Sequence, residues 1–507
     1  MRSRSRRPSS RAPETVNEDV VNPYTTAPNH LHETPVERDN RLRRAREAQQ
    51  RSHAIDAEIA ESKKAWDRKA KAVKILLLGQ AESGKSTVLK NFQIAFTPNH
   101  FARQRSAWRT VIQMNLIKSV KTILDTLQDE WGPTYTSPSP SSSSSSPNNT
   151  HRRLRMALSP LLVVDTSLTR LLSGPSSPPP WSGSGGSDGE FYSRELSVRA
   201  GSAWQRLLLD SHPSYPTHSP SHSYSHPTSN PPTSPTPPTS HTPSHRSRTS
   251  KRPRSASDGS RDVSRVVSAC RGDIMMLWRD EIVRGVLRSR EVGLESSSGF
   301  FLNDTARVAR EDYEPTDADI VRARIRTMGV EEHRFLMESA DAGSEYYIFD
   351  VGGSRGMRPQ WIPYFENVDA IIFLAPLAFN QVLEEDHRVN RLEDSLCLWR
   401  EVCCNRLLQH TNFILFLNKM DVLFETLASG VSVKKYVPSY GELPNDLRNV
   451  VSYFKAKFRA YHKRLSPEPR PFLCYETSAV DTQAMSAMLT GIREIILRVN
   501  LQKMAIL

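Results

Sequence analysis

This chain of 507 residues has no long apolar run. A membrane-spanning helix needs about 18–20 consecutive apolar residues, and the richest stretch, Ala370–Phe379, is far shorter. The opening MRSRSRRPSS has no apolar segment behind its charges, so no secretory signal is expected. Cysteine is scarce. The five, at 270, 397, 403, 404 and 474, are odd in number and have no CxxC or metal-ligand spacing, which fits reduced thiols in the cytosol. Hydrophobic residues make up only 37%, below the usual ~45–50%, and there are 35 prolines. That combination points to folded domains diluted by disordered sequence. At about 100–200 residues per domain the length allows two or more.

Acidic side chains are also in deficit, with 55 Asp plus Glu against 68 Lys plus Arg, a net +13. Such a balance invites a polyanion partner, so its location matters. Residues 1–50 hold 10 basic and 7 acidic side chains, and residues 131–262 hold 13 and 7. Nine of the thirteen excess charges therefore lie in polar stretches, and no nucleic-acid-binding domain is expected.

Residues 1–37 are polar and aperiodic, which predicts a disordered basic N-terminus. The segment 38–70 lacks Pro and Gly, and Ile55, Ile59 and Trp66 lie near helical spacing, which predicts one amphipathic helix. Lys74–Leu78 is a short apolar run suited to a buried parallel strand. Helical patterning over 93–131, 152–172, 193–209 and about 263–308 predicts an all-helical domain spanning 93–310. Three disordered inserts, about 133–150, 173–190 and 210–262, interrupt it with Ser, Pro, Gly, Thr and His. From Glu331 the pattern alternates: apolar runs at 345–350, 370–374, 413–417 and 471–475 are separated by helix-length segments. Such alternation predicts a mostly parallel α/β sheet with helices on both faces. The α/β domain is then discontinuous, 71–92 and 311–507, with the helical domain inserted.

Three motifs carry chemistry. Gly79-Gln-Ala-Glu-Ser-Gly-Lys-Ser86 fits GxxxxGK[ST] after a strand and before a helix. Its backbone amides would curl around phosphates at a helix N-terminus. Lys85 would reach the β and γ phosphates, and Ser86 would hold Mg²⁺. Asn418-Lys419-Met-Asp421 follows the run at 413–417. There Asp421 can accept from both N1 and N2 of guanine, which adenine does not offer. Alone this tetrapeptide fits a plain strand-to-helix turn equally well; behind a phosphate loop it favours guanine. Asp350-Val-Gly-Gly353 ends a further strand, placing Asp350 to hold Mg²⁺ through water and the Gly353 amide to sense a γ-phosphate.

With these motifs on one chain, the sequence resembles the heterotrimeric G-protein α subunits over about 50–132 and 263–507. The matching strings are GQAESGKST at 79–87, FFLND at 300–304, RARIRTMGV at 322–330, DVGG at 350–353, WIPYFENVDAIIF at 361–373, NKMD at 418–421 and TSAVDT at 477–482. The resemblance implies a Ras-like P-loop GTPase domain with an inserted all-α domain, GTP or GDP as bound nucleotide, and Mg²⁺. It assigns Glu82, Ser83, Gly84, Lys85, Ser86, Thr87, Arg322, Asp350 and Gly353 to the nucleotide, with Asn418, Lys419, Asp421 and the Ala479 amide on the base. Ser86 and Thr327 become the Mg²⁺ ligands. Arg324 becomes a built-in arginine finger, a role worth about 10³–10⁵ in rate where it operates. Without the resemblance, Arg324 is one of three arginines on a basic segment and reads as surface charge. Implied partners are a βγ dimer on helix 38–70, a G protein-coupled receptor at the C-terminal tail ending Ile506-Leu507, and a downstream effector.

The departures from the family are specific. Ser354 stands where the family has the Gln that orients the attacking water, so slow GTP hydrolysis is expected; the alternative is a hydrolysis-deficient, GTP-bound scaffold. Met328, Pro359 and Gln360 replace the usual Thr, Lys and Lys. Ser296 replaces an Asp that helps hold the nucleotide, and Met504 stands where some members carry a modifiable Cys. Position 2 is Arg and no Cys precedes Cys270, so neither N-terminal lipid signal is expected. Membrane contact would then come mainly through partners, with the protein cytoplasmic or at the cytoplasmic face of the plasma membrane.

Overall fold

The computed structural model describes residues 34–132, 147–173, 197–199, 256–295, 297–338 and 344–505. The chain divides into two compact units, 1–71 and 72–507. The first contributes one helix, α1 (Pro35–Lys71). It starts before the expected Arg38 because Thr34-Pro35-Val36-Glu37 is a capping box. The Glu37 carboxylate accepts from the Thr34 N–H at 3.0 Å, and the Thr34 hydroxyl accepts from the Glu37 N–H at 3.4 Å. Pro35 sits at the first helical position, where its missing N–H costs nothing. Ile55, Ile59 and Trp66 are exposed on α1.

The second unit is built on a six-stranded sheet of order β4-β5-β1-β6-β7-β8. The strands are β1 (Val73–Gly79), β4 (Val330–Leu336), β5 (Glu345–Val351), β6 (Ala370–Leu374), β7 (Asn412–Leu417) and β8 (Phe472–Glu476). All neighbours are parallel except β4 with β5. The β4 edge strand has no apolar run and was not read from the sequence. Continuous apolar strands bury both faces: Leu76 and Leu78 enter one core, Ile75 and Leu77 the other.

After β1 and the phosphate loop comes α2 (Lys85–Phe96). The long helix expected from residue 93 is broken: Thr97 leaves helical geometry before Pro98, as the residue before a proline tends to do. Then come α3 (Pro98–Arg103) and α4 (Arg105–Trp131). The latter is buried nearly all round from Val111 to Val120 and on one face from Ile123 to Leu127, and forms the axis of the helical bundle. Around it lie α5 (Pro147–Ser173), α6 (Ala256–Ala269), α7 (Arg271–Arg279) and α8 (Glu281–Ser289). Two of the expected inserts are therefore shorter than predicted. Residues 147–150 begin α5 on a proline at its first position, and 256–262 begin α6. The third loses only Ser173, the last residue of α5. The helix expected over 193–209 is corrected at 197–199. There the chain forms β2 (Ser197–Arg199), paired in parallel with β3 (Arg326–Met328) and with Val198 opposite Thr327. The rest of that segment, Ser296, and the Ile506-Leu507 end lie outside the described residues.

Among the described residues the longer helices that follow are α9 (Asp317–Arg322), α10 (Arg391–Cys404), α11 (Met420–Ala428), α12 (Leu447–Leu465) and α13 (Thr482–Ala505). Among the described residues no helix is long and apolar enough to cross a membrane.

Candidate functional site

A cavity of about 480 Å³ opens where the C-terminal ends of β1, β5 and β7 meet the helical bundle, within the size range of small-ligand sites. The phosphate loop forms its floor. Glu82 adopts a left-handed backbone at φ 59°, and Gly84 one at φ 99°. A side chain on Gly84 would collide with the Asn418 amide, so this glycine is required by close approach as well as by conformation. Lys85 is buried, and its Nζ donates to the carbonyls of Gly79 at 2.9 Å and Gln80 at 2.6 Å. Burial lowers its pKa to about 8, and the charge of Asp350 opposes that shift.

Three oxygens converge at the next residue, Ser86. The Ser86 hydroxyl donates to Asp350 Oδ2 at 2.5 Å, Thr327 donates to the same oxygen at 3.2 Å, and the two hydroxyls lie 3.3 Å apart. Asp350 is 1% exposed and its Oδ1 has no hydrogen-bond partner among the described residues. Burial pushes this carboxyl above its ordinary pKa. A buried carboxylate with one idle oxygen beside two hydroxyls is the hard-oxygen set that suits Mg²⁺. Gly353 packs against the loop so closely that a Cβ there would overlap the backbone of Gln80 and Ala81. Ser354 follows it, 5% exposed, as the residue before a 3₁₀ helix, Arg355–Tyr364.

Charged side chains close the end of the cavity beside Glu82. Arg324 ion-pairs with Glu82, and Arg391 pairs with the other Glu82 oxygen at 3.0 Å. Glu384 lies 3.9 Å from Arg324. Burial lowers the Arg324 pKa to about 10, which leaves it a cation. Arg322 also lines the cavity, and its guanidinium donates to the Phe300 carbonyl and to Asp304, both at 2.9 Å. The FFLND string is thus the anchor of that arginine.

The end of the cavity beside Asn418 is different in kind. Asn418 is buried; its Nδ2 donates to the Ser83 carbonyl at 2.8 Å, while its Oδ1 accepts from Thr477 at 2.9 Å and from the Ala479 N–H at 3.0 Å. Lys419 is left-handed at φ 60° and caps the start of α11; burial lowers its pKa to about 8. Asp421 accepts from the Ser478 hydroxyl at 2.9 Å. The structure thus brings Glu82, Gly84, Lys85, Ser86, Arg322, Arg324, Thr327, Gly353, Ser354, Asn418, Lys419, Asp421 and Ala479 to one cavity, with Asp350 bonded to its Ser86 and Thr327 hydroxyls. Thr87 lines it as well.

Sequence reasoning missed several participants. Asn115 on α4 accepts from the Arg324 N–H at 2.8 Å and donates to its carbonyl at 2.9 Å. Its only signal was a polar residue inside an apolar helix. Gln80 and Arg358 both reach buried Asp394, and Glu384 and Arg391 carry no motif at all.

This fold and cavity define a Ras-like P-loop nucleotide-binding protein with an inserted helical domain. A family model described as "G-protein alpha subunit" matches residues 49–496, and the chain belongs to that family of guanine nucleotide-binding signal transducers. The "Guanine nucleotide-binding protein alpha-4 subunit" of Mycosarcoma maydis is 30% identical across 93% of this chain and 93% of its own length. The "Guanine nucleotide-binding protein subunit alpha" of Candida albicans is 26% identical over 86% of this chain and 91% of its own. The alpha-1 subunit of Saccharomyces cerevisiae is 34% identical over 46% and 48%. Proteins of this family are GTPases in general, and partner with βγ dimers, receptors and effectors.

Proposed function

We propose that this chain is a GTP/GDP switch coupling a membrane receptor to effectors, with intrinsic hydrolysis slowed by Ser354. The observation that carries the slow step is the string Asp350-Val-Gly-Gly-Ser354, with its serine buried beside the phosphate loop. A serine side chain is shorter than glutamine and lacks its amide, so it does not span from an attacking water to a phosphoryl oxygen. In single-turnover assays on GTP-loaded protein, Ser354→Gln should hydrolyse at least about tenfold faster, since a water-positioning residue commonly contributes about 10²–10⁴. A wild-type rate equal to or above that of Ser354→Gln overturns the reading. The same serine favours a second reading, a GTP-bound scaffold; phosphate release no faster than from free GTP would select it.

The roles of the residues follow from their positions. The loop 82–87 binds the phosphates, with Lys85 as the cation. Asp421, Lys419 and the Ala479 amide bind guanine, and Asn418 holds that end together. Arg322 frames the rim through its grip on the FFLND segment. Arg324 would exchange Glu82 for the γ-phosphoryl oxygens as charge develops there. Ser86 and Thr327, with Asp350 through water, would hold Mg²⁺. Bound there, the ion supplies positive charge against the β and γ phosphates. The exposed Ile55, Ile59 and Trp66 of α1 support docking of a βγ dimer, and α13 leads toward the receptor-contacting tail. Membrane contact at the cytoplasmic face would come mainly through those partners.

A further inference from the structure

Lys90 is a charged residue that the switch mechanism leaves unused. It lies on α2, one helical turn beyond Ser86, and is 5% exposed. Its Nζ donates to the Ile320 carbonyl at 3.0 Å and the Ala323 carbonyl at 2.6 Å, and sits 4.5 Å above the Trp108 ring. These carbonyls belong to the end of α9, where a cation is favoured; the Ile320 carbonyl also accepts from the Ala323 N–H at 3.2 Å, and the Ala323 carbonyl makes the shorter of the two bonds to Lys90. The Ala323 carbonyl is also half of the peptide group whose other half is the Arg324 N–H. That N–H donates to Asn115 at 2.8 Å. No described peptide bond is cis, and in a trans peptide the C=O and N–H point in opposite directions. The link entering Arg324 is therefore gripped from both sides, by Lys90 from the phosphate-loop helix and by Asn115 from the helical bundle.

From this geometry we infer that Lys90 is a positioning residue for Arg324, fixing the peptide that aims its guanidinium into the cavity. The inference rests on Arg324 acting on the phosphates as proposed above. A packing role alone does not account for the contacts. A methionine at 90 would keep the stem on Trp108, but would take the ammonium donor from the Ala323 carbonyl and leave the Ile320 carbonyl with the Ala323 N–H at 3.2 Å alone. Nor is Lys90 a second phosphate ligand by its present bonding, because its ammonium is turned onto the backbone. Arginine is a poor substitute: its planar fork fixes donor directions that a compact ammonium leaves free.

The test uses the full chain, with Lys90→Met and Lys90→Arg each made in the wild-type, Ser354→Gln and Arg324→Ala/Ser354→Gln backgrounds. In GDP-loaded protein, hydrogen exchange of peptides covering 322–327 should speed up about tenfold or more in Lys90→Met, with less change in Lys90→Arg. In the Ser354→Gln background Lys90→Met should slow single-turnover hydrolysis about tenfold. Affinity for a non-hydrolysable GTP analogue should change less than about threefold. Once Arg324 is alanine, the same substitution should leave hydrolysis unchanged within about twofold, because there is no guanidinium left to aim. Unchanged exchange, or equal losses with and without Arg324, overturns the inference. If Lys90→Met does not fold, Asn115→Ser, which releases the other half of the same peptide, takes its place in the cycle with the same criteria. Failure of Ser354→Gln to speed hydrolysis counts against the slow-switch reading alone; the exchange result still decides the role of Lys90.

Discussion

The two ends of the cavity are held together by different physics. At the phosphate end the contacts are between ions: Glu82 with Arg324 and Arg391, and Asp394 with Arg358. At the base end a neutral amide does the work, with Asn418 tying Ser83, Thr477 and Ala479 into one buried net. Ion pairs can be traded for other ions, so Arg324 can leave Glu82 when a more negative phosphoryl group arrives. An amide net has no such alternative partner, and any break strands buried donors and acceptors. On the proposed reading the base end would therefore be pre-formed, and the phosphate end would be where switching takes place.

The comparison breaks most directly at Asn418. Asn418→Ala leaves the Ser83 carbonyl, the Thr477 hydroxyl and the Ala479 N–H without partners, at about 1–3 kcal/mol for each buried group. A loss of GTP and GDP affinity of about 100-fold is expected in equilibrium binding, with a lower melting temperature of the nucleotide-free protein. Near-native affinity would mean the net is not structural. A smaller effect is expected at Glu82. Glu82→Gln removes the shared carboxylate of two buried guanidiniums and should speed GDP release about tenfold, while GTP-over-ATP discrimination stays as in the wild type. A change in discrimination as large as the change in release would erase the distinction between the two ends.

The smallest effect on nucleotide is expected at His462, on α12 and away from the cavity, and this sets a baseline. It is 3% exposed and stacks 6.1 Å from Trp399. Burial, reinforced by Arg470, lowers its pKa to about 4 from 6.5. The unfolded chain therefore binds this proton first as pH falls. The stability it contributes is complete above pH 6.5 and is lost progressively as pH drops through about 4. Chemical denaturation between pH 7 and 4 should show His462→Phe losing less stability than wild type, by on the order of 1–3 kcal/mol, with GTP affinity at pH 7 unchanged. Parallel pH curves would remove His462 from acid sensitivity.

The readable part of the molecule was the part written in neighbouring residues. The strands β1, β5, β6, β7 and β8 announced themselves as apolar runs because parallel strands bury both faces. The phosphate loop was visible because its glycines, lysine and serine fall within eight consecutive positions. The edge strand β4 has no apolar run because its outer face carries Glu332 and Arg334, and its inner face places Glu331 and His333 beside the one buried residue, Phe335. α1 starts three residues before the expected 38 because Pro35 takes the first helical position, behind the Thr34 cap. β2 was misread as helix: three residues between polar tracts carry no period, and only pairing with β3 defines them.

Local spacing alone determined the motifs, the alternation of strand and helix, and the position of Ser354, because each depends on residues a few places apart. Tertiary structure decided which groups hold those motifs in place. Asn418 reaches Ser83 across 335 positions of sequence, and Lys90 reaches Ala323 across 233. Hydrogen bonds of that span leave no periodic trace, because the chain between their ends must fold before donor and acceptor meet. A lysine inside an apolar helix signals only that something must receive its protons; the folded chain supplies the receiver, the peptide that carries Arg324.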